Sequence, residues 1–103
     1  MKFGLTTAEL QEIRVAIGKF PEIDSVIIFG SRALGTYKPA SDIDLALLGM
    51  ITLDTISSLK SILEEELTLP YKFDLVNYAT INAELKQHID KHGQEFSRNT
   101  NNK

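Results

Sequence analysis

Two aspartates separated by one residue, Asp42 and Asp44, stand at the head of a run that turns wholly apolar, Leu45-Ala46-Leu47-Leu48. Side chains alternate along a strand, so the pair shares one face, about 6.5–7 Å apart along the backbone. Two carboxylates so placed at the start of a buried strand repel each other and resist desolvation. A hard divalent cation relieves both penalties, because Mg2+ prefers carboxylate oxygens and commonly shares them with substrate phosphates. Asp74 interrupts a second apolar pattern between Phe73 and Leu75, and it joins the pair if the two strands are neighbours. Three carboxylates suit a site for two metal ions about 3.5–4 Å apart, which act on the attacking and leaving oxygens.

The other half of the constellation lies upstream. Val26-Ile27-Ile28-Phe29 is a continuous apolar run that stops at Gly30-Ser31-Arg32. A residue without Cβ lets the chain turn sharply and bring its N–H groups close to a phosphate. Ser31 adds a hydroxyl, and a short helix opening there would point its positive end at the same anion. Arg32 and Lys38 are the nearest cations for a triphosphate. Alone, a Gly-Ser turn or an Asp-x-Asp pair is ordinary turn or capping chemistry. A strand before each half and a later aspartate make the combination hard to explain as scaffold.

The elements that must hold these residues follow from periodicity. Thr6-Thr7-Ala8-Glu9 is a capping box flanked by the staple pair Leu5 and Leu10, and Leu10, Ile13 and Ile17 keep helical spacing up to Pro21. Val26–Phe29 reads as a strand buried on both faces, and residues 30–41 as turn, short helix and loop. Asp42–Leu48 is a second strand. Ile56, Leu59, Ile62, Leu63 and Leu67 mark an amphipathic helix from about Asp54, ended by Pro70. Tyr71–Val76 alternates as a third strand, and a last helix runs from about Ile81 to His92, with Gly93 at its C-cap. The expectation is an α/β (α+β) fold, a small mixed sheet of about three strands covered by helices. One domain takes residues 1–96, and 97–103 form a frayed polar tail.

Composition narrows the function. The chain has 103 residues, 43% hydrophobic and 24% charged, which suits one soluble domain with a thin core. Net charge is −3 and Lys and Arg are scattered, so the basic stripe of a nucleic-acid binder is missing. The chain lacks cysteine, which removes disulfides and thiolate metal sites and fits a reducing compartment. Without a signal-like or membrane-length apolar stretch, the expected location is cytoplasmic. His88 and His92 sit one helical turn apart, but no third ligand stands out, and Glu64-Glu65-Glu66 reads as the polar face of its helix. Tyr37 lies in the loop, where its ring either packs or stacks on a base.

Gly30-Ser31-Arg32-Ala33-Leu34-Gly35 followed by Ser41-Asp42-Ile43-Asp44-Leu45 resembles the DNA polymerase β-like nucleotidyltransferase superfamily. The likeness is to its minimal (MNT, MntA-type) branch, antitoxins that act beside HEPN-domain toxins. It extends over nearly the whole chain, including Phe73-Asp74-Leu75 and Ile89-Asp90-Lys91-His92-Gly93. It implies that Asp42, Asp44 and Asp74 are the catalytic metal ligands, that Asp74 helps deprotonate the acceptor hydroxyl, and that Gly30 and Ser31 bind the triphosphate. Many relatives carry a basic residue where this chain has Leu34. The resemblance further implies Mg2+ and ATP or another NTP, with AMP passed to a hydroxyl on a helical HEPN partner encoded next door. At 103 residues the chain is expected to leave no room for an acceptor-binding domain of its own. A non-catalytic antitoxin that binds by contact, and a subunit of a small-molecule nucleotidyltransferase, are the competing readings.

Overall fold

Thr6 accepts the Glu9 N–H and the Glu9 side chain accepts the Thr6 N–H, closing the expected capping box at the start of α1 (Thr7–Ile17). Leu5 and Leu10 are both buried beside it. After the turn at Pro21 come β1 (Ile23–Phe29), the single-turn helix α2 (Ser31–Leu34) and β2 (Ile43–Gly49). Helix α3 (Leu53–Ser61) continues into a π turn over Ile62–Glu66, and β3 (Phe73–Asn77), α4 (Ala83–His92) and β4 (Gln94–Arg98) complete the chain. This architecture is that of a computed structural model, which describes residues 1–98.

The sheet has four strands in the order β3-β2-β1-β4. Strand β1 runs antiparallel to β2 and β4, while β2 and β3 are parallel, joined by the α3 crossover that the sequence permitted. The expected count of three strands is therefore one short. Strand β4 buries only Phe96 among polar neighbours, and its backbone pairs Ser25 with Arg98 and Val26 with Ser97. Ser97 and Arg98 thus lie in the sheet rather than in the expected tail, whose remaining residues, 99–103, fall outside the described residues.

Alternation along the strands sorts two hydrophobic cores. Val26, Ile28, Ile43, Leu45, Leu47, Phe73 and Leu75 face α1 and α3, where Leu10, Ile13, Ile17, Leu59 and Leu63 cover them. On the opposite face, Phe29 and Ala46 pack with Ile89 of α4, flanked by Ile27, Val76 and Leu85. Among the described residues, no helix is long and apolar enough to cross a membrane.

Candidate active site

The α4-covered face becomes polar at one end, and the aspartates stand there. Asp44 pairs across β2 and β3 with Asp74 in direct register, and across β1 and β2 with Phe29. Paired residues on neighbouring strands share a face and lie about 4.8 Å apart at the backbone. Asp42 precedes β2 by one residue, on the same side by alternation. The condition set by the sequence, that the strands bearing Asp44 and Asp74 be neighbours, is met.

Asp44 is half-buried, while Asp42 and Asp74 are exposed. Desolvation, followed by the negative charges of Asp74 and Asp42, pushes the Asp44 pKa up from 3.8 to about 6, with Arg32 pulling weakly the other way. Burial and the mutual repulsion of the clustered carboxylates thus both favour the protonated form of Asp44. Among the described residues, no three His, Asp or Glu side chains close around a common point as they stand. The three aspartates suit a divalent cation by their hard oxygens and mutual repulsion, without forming a finished cage.

Gly30 explains the turn. Its backbone, φ 75° and ψ −155°, lies in a region essentially reserved for glycine. A Cβ there would also collide with Oδ2 of Asp44. The end of β1 and the carboxylate on β2 are therefore fitted to each other, which joins the two halves of the sequence motif in space. Helix α2 opens at Ser31, as expected, and ends on Gly35 in the left-handed conformation. Gly30→Ala should cost about 2–3 kcal/mol, from positive-φ strain and displacement of the carboxylate. Urea unfolding measures it, and a loss below about 0.5 kcal/mol, the scale of an ordinary surface substitution, would contradict this geometry.

Arg32 corrects an expectation. The cation assigned to phosphate binding is only 2% exposed. Its Nε and Nη2 both donate to the Ser41 carbonyl, at 3.2 and 2.9 Å. Nη1 donates to the Phe3 carbonyl at 2.9 Å and Nη2 to that of Pro39 at 3.3 Å. The guanidinium lies 5.3 Å from the Tyr37 ring centroid and 4.8 Å from that of Tyr71. Tyr71 in turn donates to Glu9 at 2.9 Å. Each guanidinium nitrogen donates to a backbone carbonyl, so buried Arg32 fixes the loop before Asp42 instead of reaching toward a ligand. Tyr37 packs on that cation, the first of the two roles its place in the loop allowed. Lys38 is exposed on the same loop, and its backbone N–H is tied to the Ser41 hydroxyl at 2.8 Å.

Two further contacts at the site were not legible in the residue pattern. Gln94 of β4 donates to the Ala33 carbonyl of α2 at 2.9 Å. Glu64 accepts from the backbone next to Asp74. The His88 and His92 rings lie 5.1 Å apart on α4.

The family model of polymerase beta, nucleotidyltransferase, matches residues 11–101. No curated protein matches the chain. Among solved structures, a chain of a toxin–antitoxin crystallised with AMP-PNP is 26% identical with a TM-score of 0.69, covering 93% of this chain and 76% of that one. A variant of the MntA-HpeT toxin–antitoxin is 28% identical, with a TM-score of 0.65 and coverages of 88% and 71%. A tri-AMPylated Shewanella oneidensis HEPN toxin in complex with MNT antitoxin contributes a chain of the same fold, 24% identical, with a TM-score of 0.64 and coverages of 89% and 71%.

Proposed function

The chain belongs to the polymerase beta nucleotidyltransferase family, and on that premise we propose that it transfers AMP from ATP to a hydroxyl of a helical HEPN-type toxin, acting as its antitoxin. The observation that carries the reading is the in-register placement of Asp44 and Asp74 beside the Gly30 turn. The partner class is supported by the toxin–antitoxin relatives, one of them with AMP-PNP. The choice of acceptor follows the tri-AMPylated toxin.

In this reading Gly30 and Ser31 orient the triphosphate through backbone N–H groups and the Ser31 hydroxyl, and Lys38 adds charge from the exposed loop. Magnesium held by Asp42, Asp44 and Asp74 would supply charge neutralisation for the triphosphate and the entering oxygen. Asp74, exposed at the edge of the sheet, takes the proton of the acceptor hydroxyl. That oxygen bonds to the α-phosphorus, the bond from the α-phosphorus to the bridging oxygen breaks, and pyrophosphate leaves with the electron pair. Arg32 holds the loop and Asp42 in place from behind. Both exposed aspartates open to solvent at the end of the sheet, so a partner can bring its hydroxyl to them directly.

The decisive experiment combines the chain, ATP labelled at the α-phosphate, Mg2+ and the product of the adjacent gene. The expected result is labelled AMP on the partner, read by intact mass. Parallel reactions offer an aminoglycoside and tRNA. Label on either of those, or a partner unchanged in mass, would overturn the assignment.

A further inference from the structure

Helix α3 widens after Ser61 into a π turn over Ile62–Glu66, closed by the Leu67 N–H donating to the Ile62 carbonyl at 3.0 Å. Such turns hold one residue more than an α turn, are uncommon, and are frequently found at functional sites. Here Leu59 and Leu63 both remain fully buried, while Glu64 leaves the solvent-facing stripe expected of the triple-glutamate run. Its carboxylate is half-buried and accepts the Phe73 N–H at 2.6 Å.

That bond touches the peptide that leads into Asp74. Strand β3 is an edge of the sheet, and the Lys72 carbonyl accepts the Ile43 N–H of β2 at 2.9 Å. The Lys72 C=O and Phe73 N–H belong to one planar peptide and point in opposite directions. One peptide is thus gripped on its inner side by β2 and on its outer side by Glu64. The outer grip stands where a further strand would pair, and an ionised acceptor makes it about twice as strong as a neutral hydrogen bond.

We propose that Glu64 is a positioning residue for Asp74, fixing the plane of the Lys72–Phe73 peptide and so the direction in which Asp74 faces Asp44. Its consequence for turnover rests on the transfer reading above; its consequence for the strand does not. Glu64→Ala removes the acceptor. Glu64→Asp keeps the charge but is one methylene too short, and serves if the alanine variant does not fold. Glu64→Gln keeps an acceptor oxygen at full reach.

With ATP, Mg2+ and the partner, the Ala and Asp variants should lose between about tenfold and a hundredfold in kcat, the scale of a small misplacement of a reacting group. Their KM for ATP should stay within about twofold, since binding shared by the ground and transition states is untouched. Glu64→Gln should retain most of the rate. Hydrogen exchange should show the Phe73 amide losing protection in the Ala and Asp variants and keeping it in Gln. Wild-type kcat in Ala or Asp, a Gln variant as slow as they are, or unchanged Phe73 protection would each overturn the inference. If the wild type itself transfers nothing, the function reading fails, and Mn2+ titration decides the positioning by itself. Weakened binding in Ala and Asp with recovery in Gln supports it, and equal binding in all forms overturns it.

Discussion

Asp44→Asn should abolish nucleotidyl transfer and, in metal-free buffer at neutral pH, make the protein more stable. The loss of rate should reach about 10³-fold, or about 4 kcal/mol of barrier. Asn presents a neutral amide where the proposed reaction calls for a hard anionic oxygen. The gain in stability has the same origin. Burial and the charges of Asp74 and Asp42 raise the Asp44 pKa to about 6, so folding at neutral pH places an ion where a neutral group would sit more easily. At face value the shift is worth about 3 kcal/mol. Solvent reaches the half-buried carboxylate and screens it, so a gain of about 1 kcal/mol is expected. Because the folded-state value lies above the unfolded one, the penalty is absent below about pH 3.8, where both states are protonated, and complete above about pH 6. The advantage of Asp44→Asn over the wild type should therefore shrink as pH falls from 6 to 4. Added Mg2+ with a non-hydrolysable ATP analogue should reverse the order, stabilising the wild type alone. Paired urea titrations across this pH range measure both effects. An Asn variant less stable than the wild type at pH 7 without metal would remove the argument that the carboxylates are held together against their own repulsion.

The candidate site was legible where local pattern and placement coincide. Asp44 and Asp74 each interrupt an apolar strand, which Asp42 heads in the first case, and period-two alternation places Asp42 and Asp44 on one face before any fold is known. Asp74 needed one further fact, the parallel pairing of β2 and β3, which sequence permits but does not dictate. Gly30 was readable as a turn. That its missing Cβ makes room for the Asp44 carboxylate depends on the register of Phe29 with Asp44. Strand β4 escaped notice because an edge strand needs little apolar surface, and Phe96 alone carries its burial. Glu64 escaped for a different reason. A π turn shifts helical phase within a single turn, so a residue counted onto the solvent face at 3.6 residues per turn arrives at the sheet edge.

Arg32 is the sharpest case, because its residue type pointed one way and its surroundings another. Next to a glycine–serine turn a cation invites assignment to phosphate, and only Phe3, Tyr37 and Tyr71, scattered through the sequence, reveal it as a buried strut. Arg32→Met should accordingly be among the most destabilising single changes in the chain. Three carbonyls lose their donors and two tyrosine rings lose the cation between them, which together should cost about 3–5 kcal/mol, as when one partner of a buried charged network is removed. Against a typical total of about 5–15 kcal/mol, that is enough to leave a substantial unfolded fraction at moderate temperature. Arg32→Lys tests the geometry rather than the charge. An ammonium is a compact donor without the planar fork that serves Ser41, Pro39 and Phe3 together, so Lys should recover less than half of the loss. Urea midpoints of both variants, set beside ATP binding for whichever folds, separate strut from ligand. Stability near that of the wild type in Arg32→Lys, with only the affinity for ATP reduced, would return Arg32 to the triphosphate and undo its role as the support of the Asp42 loop.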